Sequence, residues 1–398
     1  MNGDPQGRLF VLDPAFTGVA GHHYPWNQAI VAECRRRGIA VRIGAHRSFR
    51  GDAASLPVEG VFTHSIYPKR YFGRMAPLRR QFLEDLGRLS GWGLTSADLF
   101  LLHSVSIPFF IAFSDWFASL PRAGRPRCVV LHTVAWFEAE WPKDGIVWRQ
   151  QFRRAAARLA NAAGTGLTFG AINEPLCRDW EAFSGQPARV HPIPYPAAAD
   201  FPPGGERSGS SYRLLFPGGA RDEKGLELLP DLVRLLARKF PLAECVIQVA
   251  PDPRASRETL AALRRLEEEK ALRAHWGDAT AAEYQGFFAT ADVVMLPYDP
   301  VCYRVRGSSV LAEALICGLP AILPAGTWMA EEWKRLEAGG ALFQEWTAEA
   351  VSQAAVEALR AYGVHRARSL EAAARWTARH SAAAFMDFVL GPAIEPAL

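Results

Sequence analysis

The chain has 398 residues, and a hydrophobic content of 49% with a charged content of 22% is ordinary for a globular enzyme. Because a single hydrophobic core rarely grows beyond about 300 residues, we expect two domains. The net charge of +4 is too small to indicate a nucleic-acid partner, but it is compatible with an anionic small molecule or an acidic membrane surface. No apolar run approaches the ~20 residues that span a bilayer, and the first residues lack a signal-peptide pattern, so we expect a cytoplasmic protein.

Strand-sized apolar runs alternate with helical patterns along the whole chain. The first predicted strands are Leu9–Leu12, Ile39–Ile43, Gly60–Thr63, Asp98–Leu102, Cys128–Thr133, Leu167–Phe169 and Val190–Ile193. After a gap follow Leu214–Phe216, Cys245–Val249, Ala274–Trp276, Val293–Leu296 and Ala321–Leu323. The predicted helices include Asp222–Phe240, Ser256–His275 and, at the end, Trp376–Leu390. This alternation is typical of α/β proteins with parallel sheets covered by helices on both faces.

The alternation is interrupted once, at residues 202–211, where proline, glycine, serine and charged residues form a typical linker. Cutting there predicts a Rossmann-like acceptor-binding domain over residues 1–203 and a Rossmann-like donor-binding domain over 212–375. A C-terminal helix over 376–398 is expected to pack back on the first domain. Ligands of doubly wound sheets bind beyond the carboxyl ends of the strands, so we expect the site in a cleft between two facing domains.

A short predicted helix that begins at Ser308 is the strongest candidate binding element. Ser308 and Ser309 open this helix, so their hydroxyls and the free amides of its first turn form an anion site that suits a diphosphate. Glu313 lies one turn further along, where its carboxylate can accept two hydrogen bonds from a ribose diol. The alternative is that the serines only cap the helix and that Glu313 is a surface residue. The immediate return into a strand after Gly318 favours the binding site.

A second candidate follows the eighth predicted strand, where Gly218 and Gly219 turn the chain. Arg221 offers a fork for phosphate oxygens and Lys224 a mobile point charge, so both can neutralise a leaving diphosphate. The alternative is a solvated helix start, whose acidic residues favour the helix dipole. Both interpretations stay open from this element alone.

Together the two elements resemble the C-terminal domain of glycosyltransferase family 4, whose members are retaining enzymes with the two-domain GT-B fold. The residues that carry the resemblance are Glu223-Lys224-Gly225, Ala291–Pro297, and Glu313-Ala314 leading to Gly318-Leu319-Pro320. The resemblance implies that Lys224 holds the donor diphosphate and Glu313 the ribose. It also implies that a glycine loop with Gly21 approaches the phosphates and that His132 lies near the reacting sugar. The implied donor is a nucleoside-diphosphate sugar, with retention at the anomeric carbon and no cofactor.

Two positions depart from the family pattern. The family usually has a second Glu eight residues before the ribose Glu, and this sequence has Val305 there. The usual phosphate-binding Arg, five residues before the Lys, is Gly219. The lost groups can be replaced by a neighbouring arginine: Arg221, Arg304 or Arg306. The donor sugar therefore stays unassigned.

Histidines of the first half are the candidate acceptor-binding residues. His22, His23 and Tyr24 precede a proline that fits the first turn of a helix, so we expect both histidines in a loop that faces the cleft. We predict that these three residues and His103 contact the acceptor or a phosphate, while loop histidines that only cap a helix are the alternative. His103 and His132 each end a strand, where a hydrogen-bonded core histidine is the competing interpretation.

No metal site is predicted. Adjacent histidines seldom chelate one metal well, and the sequence shows no third ligand near His22 and His23. No Asp-x-Asp occurs, so a metal-clamped diphosphate is not supported, and there is no complete phosphate-binding or dinucleotide-binding glycine motif. The six cysteines include no Cys-x-x-Cys pair, which indicates reduced, packed thiols.

The sequence thus predicts a metal-independent glycosyltransferase that moves a sugar to a hydroxyl acceptor, whether a glycan, a lipid-linked molecule or a small molecule. Two alternatives stay open, a GT-B nucleotide-sugar epimerase and a non-catalytic nucleotide-sugar-binding protein. Basic and aromatic residues are mixed over Lys69–Leu83. This segment can contact the anionic inner face of the membrane, hold an acceptor, or form a solvated helix face.

Overall fold

The computed structural model describes residues 7–19, 21, 23–51, 56–67, 75–133, 145–195, 211–218, 221–250 and 255–391. The chain forms two compact units. The first unit comprises Met1–Pro196 and His380–Leu398, and the second comprises Ala197–Arg379. The predicted linker lies outside the described residues except for Ser211. Among the residues described, no helix has the length and apolarity that crossing a bilayer requires.

The first unit is built on a sheet of seven parallel strands. They are β1 (Leu9–Asp13), β2 (Val41–His46), β3 (Val58–Phe62), β4 (Leu99–Leu102), β5 (Arg127–His132), β6 (Leu167–Ala171) and β7 (Arg189–Val190). Their order across the sheet is β3-β2-β1-β4-β5-β6-β7. The order reverses between β1 and β4, and such a switch point is where doubly wound sheets bind ligands.

Helices connect these strands and cover both faces of the sheet. They are α1 (His23–Arg36), α2 (Met75–Gly87), α3 (Ile107–Ser119), α4 (Gly145–Ala163) and α5 (Glu174–Ser184). Nearly every residue of α3 is buried, because α2 and α4 pack along its two sides. The aromatic core on this face of the sheet includes Phe109, Phe110 and Phe113.

The second unit repeats the arrangement with six parallel strands. They are β8 (Tyr212–Phe216), β9 (Ala243–Val249), β10 (Leu272–Trp276), β11 (Val293–Met295), β12 (Ala321–Pro324) and β13 (Gly340–Phe343). The helices are α6 (Leu229–Lys239), α7 (Arg257–Glu268), α8 (Ala281–Thr290), α9 (Ser309–Ile316), α10 (Trp328–Arg335), α11 (Ala348–Arg360) and α12 (Tyr362–Arg379). The order β10-β9-β8-β11-β12-β13 puts the switch point between β8 and β11.

The C-terminal end of the chain returns to the first unit as a separate helix, α13 (Ala382–Leu390). Its N-cap is Ser381, whose hydroxyl accepts a hydrogen bond from the Ala384 amide at 3.1 Å. The predicted single helix starting at Trp376 is therefore wrong, since Trp376 lies in α12. Helix α13 packs on α1 and adds Phe385 to the core beneath β1.

Two further helix predictions are too long. The segment predicted as Asp222–Phe240 begins with two single 3-10 turns, and α6 starts only at Leu229. Between the turns Gly225 takes a φ of 80°, which breaks the helical path. The predicted helix Ser256–His275 ends at Glu268, because its last residues join the sheet as β10.

One strand, β13, was not predicted. It has four residues and starts with Gly340, whose φ is 137°. A Cβ at Gly340 would lie 2.0 Å from the carbonyl oxygen of Ala321, so glycine permits the close approach of β13 to β12. A short strand that opens on glycine lacks the β-branched, alternating pattern by which strands are recognised in a sequence.

Candidate functional site

A pocket lies at the switch point of the second sheet, beyond the carboxyl ends of β8 and β11. Its lining comes from the loops after these strands, from β9 and from the start of α6: Phe216, Pro217, Gly218, Arg221, Lys224, Leu226, Leu229, Ile247, Gln248, Met295, Pro297 and Tyr298. The pocket therefore brings together Gly218, Arg221 and Lys224, three of the predicted donor residues.

Two glycines shape the loop that follows β8. Gly218 has a φ of 112°, and its amide donates a hydrogen bond to Gln248 Oε1 at 3.0 Å. Gly225 has a φ of 80°, and a Cβ there would lie only 2.1 Å from the carbonyl oxygen of Pro297. Both positions require the left-handed backbone conformation that glycine adopts without strain. The loop after β8 is thus held against the loop after β11.

The ammonium group of Lys224 is enclosed by this loop. A Cβ on Gly218 would lie 2.7 Å from Lys224 Nζ, and Nζ is 5.4 Å from the centroid of the Tyr298 ring. Burial and the nearby Arg221 lower the pKa of Lys224 to about 8, against the opposing effect of carboxylates that include Glu313. Lys224 is therefore still mostly charged at neutral pH, but it loses its proton more readily than a surface lysine.

Three arginines were proposed to replace the missing phosphate-binding Arg, and two of them lie within electrostatic reach of a buried tyrosine beside the pocket. Tyr303 packs against Tyr298 with the rings tilted by 40° and 4.4 Å between ring centroids. Burial raises the pKa of Tyr303, while Arg221 and Arg306 both lower it through their charge. Arg304 is exposed at the surface of the same loop. Arg221 itself lines the pocket, and Arg306 lies within electrostatic reach of the neighbouring Tyr303.

Helix α9 begins as predicted, with a serine cap. The Ser308 hydroxyl accepts a hydrogen bond from the Leu311 amide at 3.2 Å, and Ser309 is the first helical residue. Ser308 also lies near Tyr298, a residue of the pocket lining, and opposes the burial that raises the pKa of the Tyr298 hydroxyl. The N-terminus of α9, with its free amides, therefore lies beside the pocket.

Glu313 is buried, with 6% of its surface exposed, so the interpretation of it as a surface residue is wrong. Its Oε2 atom accepts a hydrogen bond from the Tyr284 hydroxyl at 2.7 Å. The charge of Glu313 also raises the pKa of Lys224, which places the two groups within electrostatic reach of each other. A hydrogen-bonded carboxylate and an ammonium group thus share this end of the second unit.

Three residues of this region were not predicted: Gln248, Tyr284 and Tyr298. Tyr298 comes three residues after β11 ends, so its position beyond a strand end was the available signal. Tyr284 gives no comparable signal, because its contact with Glu313 joins helices that are separated in sequence.

A second polar cluster lies at the switch point of the first sheet. It consists of Asp13 at the end of β1, His23 at the start of α1 and His103 directly after β4. His23 Nδ1 is 2.9 Å from Asp13 Oδ2, and His103 Nδ1 is 3.8 Å from the same oxygen. Asp13 and His103 are fully buried and His23 is 7% exposed. Burial lowers the pKa of His103 to about 4, while both histidines hold the pKa of Asp13 far below its usual range against the effect of burial.

Two sequence-based statements about His23 are therefore wrong. The residue is not in a loop, because α1 begins at it. A third ligand does lie nearby: Asp13 precedes the glycine loop, and His103 arrives from the adjacent parallel strand. Its position in the sheet order, rather than its position in the sequence, brings His103 to the other two residues.

His132 ends β5, as predicted, and is buried. Its Nε2 atom is 2.9 Å from Asp179 Oδ2 of α5, a partner that the sequence did not reveal. Burial lowers the pKa of His132, and Asp179 opposes that shift. A role for His132 near the reacting sugar stays a prediction.

The remaining predicted residues of the first unit are spread around the glycine loop. Tyr24 packs on Phe16, with ring centroids 6.3 Å apart, at the margin of the core. Gly21 has a φ of 81°, and a Cβ there would meet no atom within 4 Å. His22 and Gly219 lie outside the described residues.

The basic and aromatic segment Lys69–Leu83 is described only from Met75 onward. That part is the beginning of α2, which buries Met75, Leu78 and Phe82 against the first core. Its other face carries Arg79, which pairs with Asp115 at 2.6 Å. This half of the segment is an amphipathic helix packed on its own unit.

Comparison with known proteins gives a match in structure alone. No family model matches the sequence, and no curated sequence matches it significantly. Sucrose-phosphate synthase from Thermosynechococcus elongatus is similar over 95% of this chain and 96% of its own, with a TM-score of 0.69 and 15% identity. WaaG, a glycosyltransferase involved in lipopolysaccharide biosynthesis, is similar over 96% and 99%, with a TM-score of 0.62 and 15% identity. Anabaena HepE in complex with UDP-glucose is similar over 96% and 98%, with a TM-score of 0.66 and 14% identity.

At such low identity these likenesses show the fold. The chain has the GT-B fold, with two Rossmann-like domains on parallel sheets and a C-terminal helix. The predicted fold class is confirmed.

Proposed function

We propose that this protein is a glycosyltransferase that moves a sugar from a nucleoside-diphosphate sugar to a hydroxyl acceptor. The observation that carries the proposal is the gathering of Lys224, Arg221 and Glu313 at the switch point of the second sheet. The fold supports the same conclusion, because similar structures include named glycosyltransferases and one that holds UDP-glucose.

Each group at this site has a role in binding the donor. Lys224 and Arg221 would contact the diphosphate, and the first-turn amides at Ser308 and Ser309 would receive the remaining phosphate oxygens. Glu313 would accept hydrogen bonds from the ribose hydroxyls. The lowered pKa of Lys224 has burial as its main cause, and a bound diphosphate would offset that burial with a favourable charge.

The reaction exchanges one bond for another. The bond between the anomeric carbon and the phosphate oxygen breaks, and a bond from that carbon to the acceptor oxygen forms. Negative charge builds on the leaving diphosphate, where Lys224 and Arg221 would stabilise it. The acceptor hydroxyl proton passes to the leaving phosphate. Following the resemblance to family 4, we propose retention at the anomeric carbon and side-chain cations, rather than a metal ion, on the diphosphate.

A donor screen tests the proposal. Thermal unfolding is followed with UDP-, GDP- and ADP-sugars, since a ligand at a hundredfold its dissociation constant stabilises the folded state by about 2.7 kcal/mol. We expect one donor class to raise the melting temperature, and mass spectrometry to detect sugar transfer to a member of an acceptor panel. Donor conversion without any acceptor would identify an epimerase, and a shift without turnover a binding protein. No shift with any donor would contradict the proposed site.

A further inference from the structure

We propose that the first unit binds a divalent transition-metal ion, with Zn²⁺ the best fit, through Asp13, His23 and His103. All three residues belong to the first unit, and the proposal does not rest on the proposed sugar transfer. It lies where the strand order of the first sheet reverses, the position at which such sheets bind ligands.

The ligand spacing suits a small tetrahedral ion. Metal–ligand distances of about 2.0–2.2 Å put neighbouring ligand atoms of a tetrahedral site about 3.3 Å apart. Asp13 Oδ2 is 2.9 Å from His23 Nδ1 and 3.8 Å from His103 Nδ1, so the two separations lie on either side of that value. The ligand atoms of all three residues lie within 4.8 Å of one another. Shifts of about half an ångström would bring the two separations from Asp13 Oδ2 to the tetrahedral value.

The chemistry of the three side chains fits the same ion. Two imidazoles and one carboxylate form a ligand set that Zn²⁺ uses in sites with three protein ligands and one open position. The open position would accept a water or a hydroxyl oxygen.

The surroundings orient the ligands as an outer shell does in known metal sites. The Ala15 amide donates to Asp13 Oδ1 at 3.2 Å, and Asn27 Nδ2 donates to Asp13 Oδ2 at 2.9 Å. A carboxylate oxygen has two lone pairs, so Oδ2 can accept from Asn27 and bind a metal at once. The Trp26 ring packs on His103 with 4.9 Å between centroids. Hydrogen-bonded and packed ligands of this kind are held in place before the metal arrives.

Metal binding by the full chain is the direct test. The protein is stripped with a chelator, titrated with Zn²⁺ or Co²⁺, separated from free ion and assayed for metal by mass spectrometry. We expect about one ion per chain, and visible Co²⁺ absorption of the intensity that four-coordinate sites give. His23→Gln and His103→Gln should each lose the ion. His46→Gln should keep it, because His46 ends β2 in the same unit, bonds the Ser48 hydroxyl and is not one of the three clustered ligands.

A variant with an intermediate effect on metal affinity distinguishes a metal site from a buried cluster that is only hydrogen-bonded. Asn27→Ala removes a hydrogen-bond donor to the Asp13 ligand. The affinity for the metal ion should fall about 10- to 100-fold, while the stoichiometry stays at one ion per chain. Equal metal content in the wild type and both histidine variants overturns the proposal, as does a six-coordinate Co²⁺ spectrum of the wild type. If the histidine variants fail to fold, the wild-type Co²⁺ spectrum alone decides. Loss of the ion with an unchanged donor-induced thermal shift would leave the proposed function standing.

Discussion

The Tyr284 hydroxyl donates a 2.7 Å hydrogen bond to Glu313 Oε2, joining α8 to α9 at the candidate donor site. A carboxylate that is 6% exposed needs such a partner, since an unpaired buried charge is costly. The bond also fixes how the carboxylate is presented. Tyr284 is therefore a positioning residue for the proposed ribose contact, and it makes the role of Glu313 testable.

We expect Glu313→Ala to weaken binding of the free nucleoside diphosphate. Each lost bond to a charged acceptor costs about 1.5–3 kcal/mol, which calorimetry resolves easily. Tyr284→Phe should weaken binding less, because the carboxylate remains. Glu332→Ala is the matched control, since Glu332 is equally buried but bonds Arg335 on α10. Unchanged affinity in Glu313→Ala, with a lower melting temperature, would make Glu313 purely structural.

Lys224→Ala should lower kcat strongly and change the donor KM less, because the diphosphate gains charge in the transition state. Among the arginines, Arg221→Ala and Arg306→Ala should lower kcat, and Arg304→Ala should stay close to wild type because Arg304 is exposed. Steady-state kinetics on the donor and acceptor found by the screen measures these effects. If all four variants stay within about twofold, a change typical of neutral surface substitutions, the diphosphate site is misplaced.

Gly218→Ala should impair donor binding through Lys224. The new Cβ would lie 2.7 Å from Lys224 Nζ, and the φ of 112° at position 218 strains any side chain. Because the lysine end can move, we expect the ammonium group to be displaced and donor affinity to fall about tenfold or more, as for other lost charged contacts. Gly87→Ala is the control, because a Cβ there meets nothing within 4 Å. Equal donor affinity in both variants would contradict the placement of Lys224.

Donor affinity should fall as the pH rises above about 8, the pKa of Lys224. The charged lysine attracts the diphosphate and the neutral lysine does not. Because the folded pKa is below the ordinary 10.5, the unfolded chain binds more protons between these values. The contribution of Lys224 to stability therefore increases over that window while donor binding weakens. Lys224→Arg stays charged, so its binding measured across pH 7–10 should lack this decrease; a parallel decrease in both proteins would assign the effect elsewhere.

Transfer should not depend on added Mg²⁺ or Mn²⁺. Lys224, Arg221 and Arg306 supply positive charge at the candidate diphosphate site, which is the task that a metal performs in enzymes with an Asp-x-Asp motif. Initial rates are compared in EDTA with and without an excess of each ion. If EDTA abolishes activity and Mg²⁺ or Mn²⁺ restores it, the proposal that side-chain cations neutralise the diphosphate is refuted. A loss that only Zn²⁺ reverses would instead point to the cluster of Asp13, His23 and His103.

The sequence predicted the buried strands well and the ends of helices poorly. Runs such as Leu9–Leu12 and Val293–Leu296 are apolar because central parallel strands are covered on both faces. The helical predictions included Asp222–Lys224, where the φ of Gly225 breaks the helix, and extended to His275, although Leu272–Trp276 pairs with β9 as a strand. Those are tertiary effects, which local patterns do not report.

The candidate sites divide in the same way. Lys224, Ser308 and Glu313 were found because each stands at a fixed offset from a turn or a helix start. The meeting of Asp13 with His103 depends on β1 and β4 being neighbours in the sheet, although two strands separate them in the sequence. The order of strands in a sheet follows from tertiary packing. A local sequence motif therefore could not predict that cluster.

The separation of α13 from α12 at Ser381 has a consequence for the order of folding during synthesis. The core of the first unit includes Phe385, Met386 and Val389, which are translated only after the whole second unit. Until α13 leaves the ribosome, the apolar side of α1 and the strands behind it have no cover from that helix. The second unit is continuous in sequence, so it is the one that can finish folding first on the ribosome. The N-terminal core of a nascent chain therefore stays incomplete while the rest is made. Chaperones can bind the exposed core during that interval.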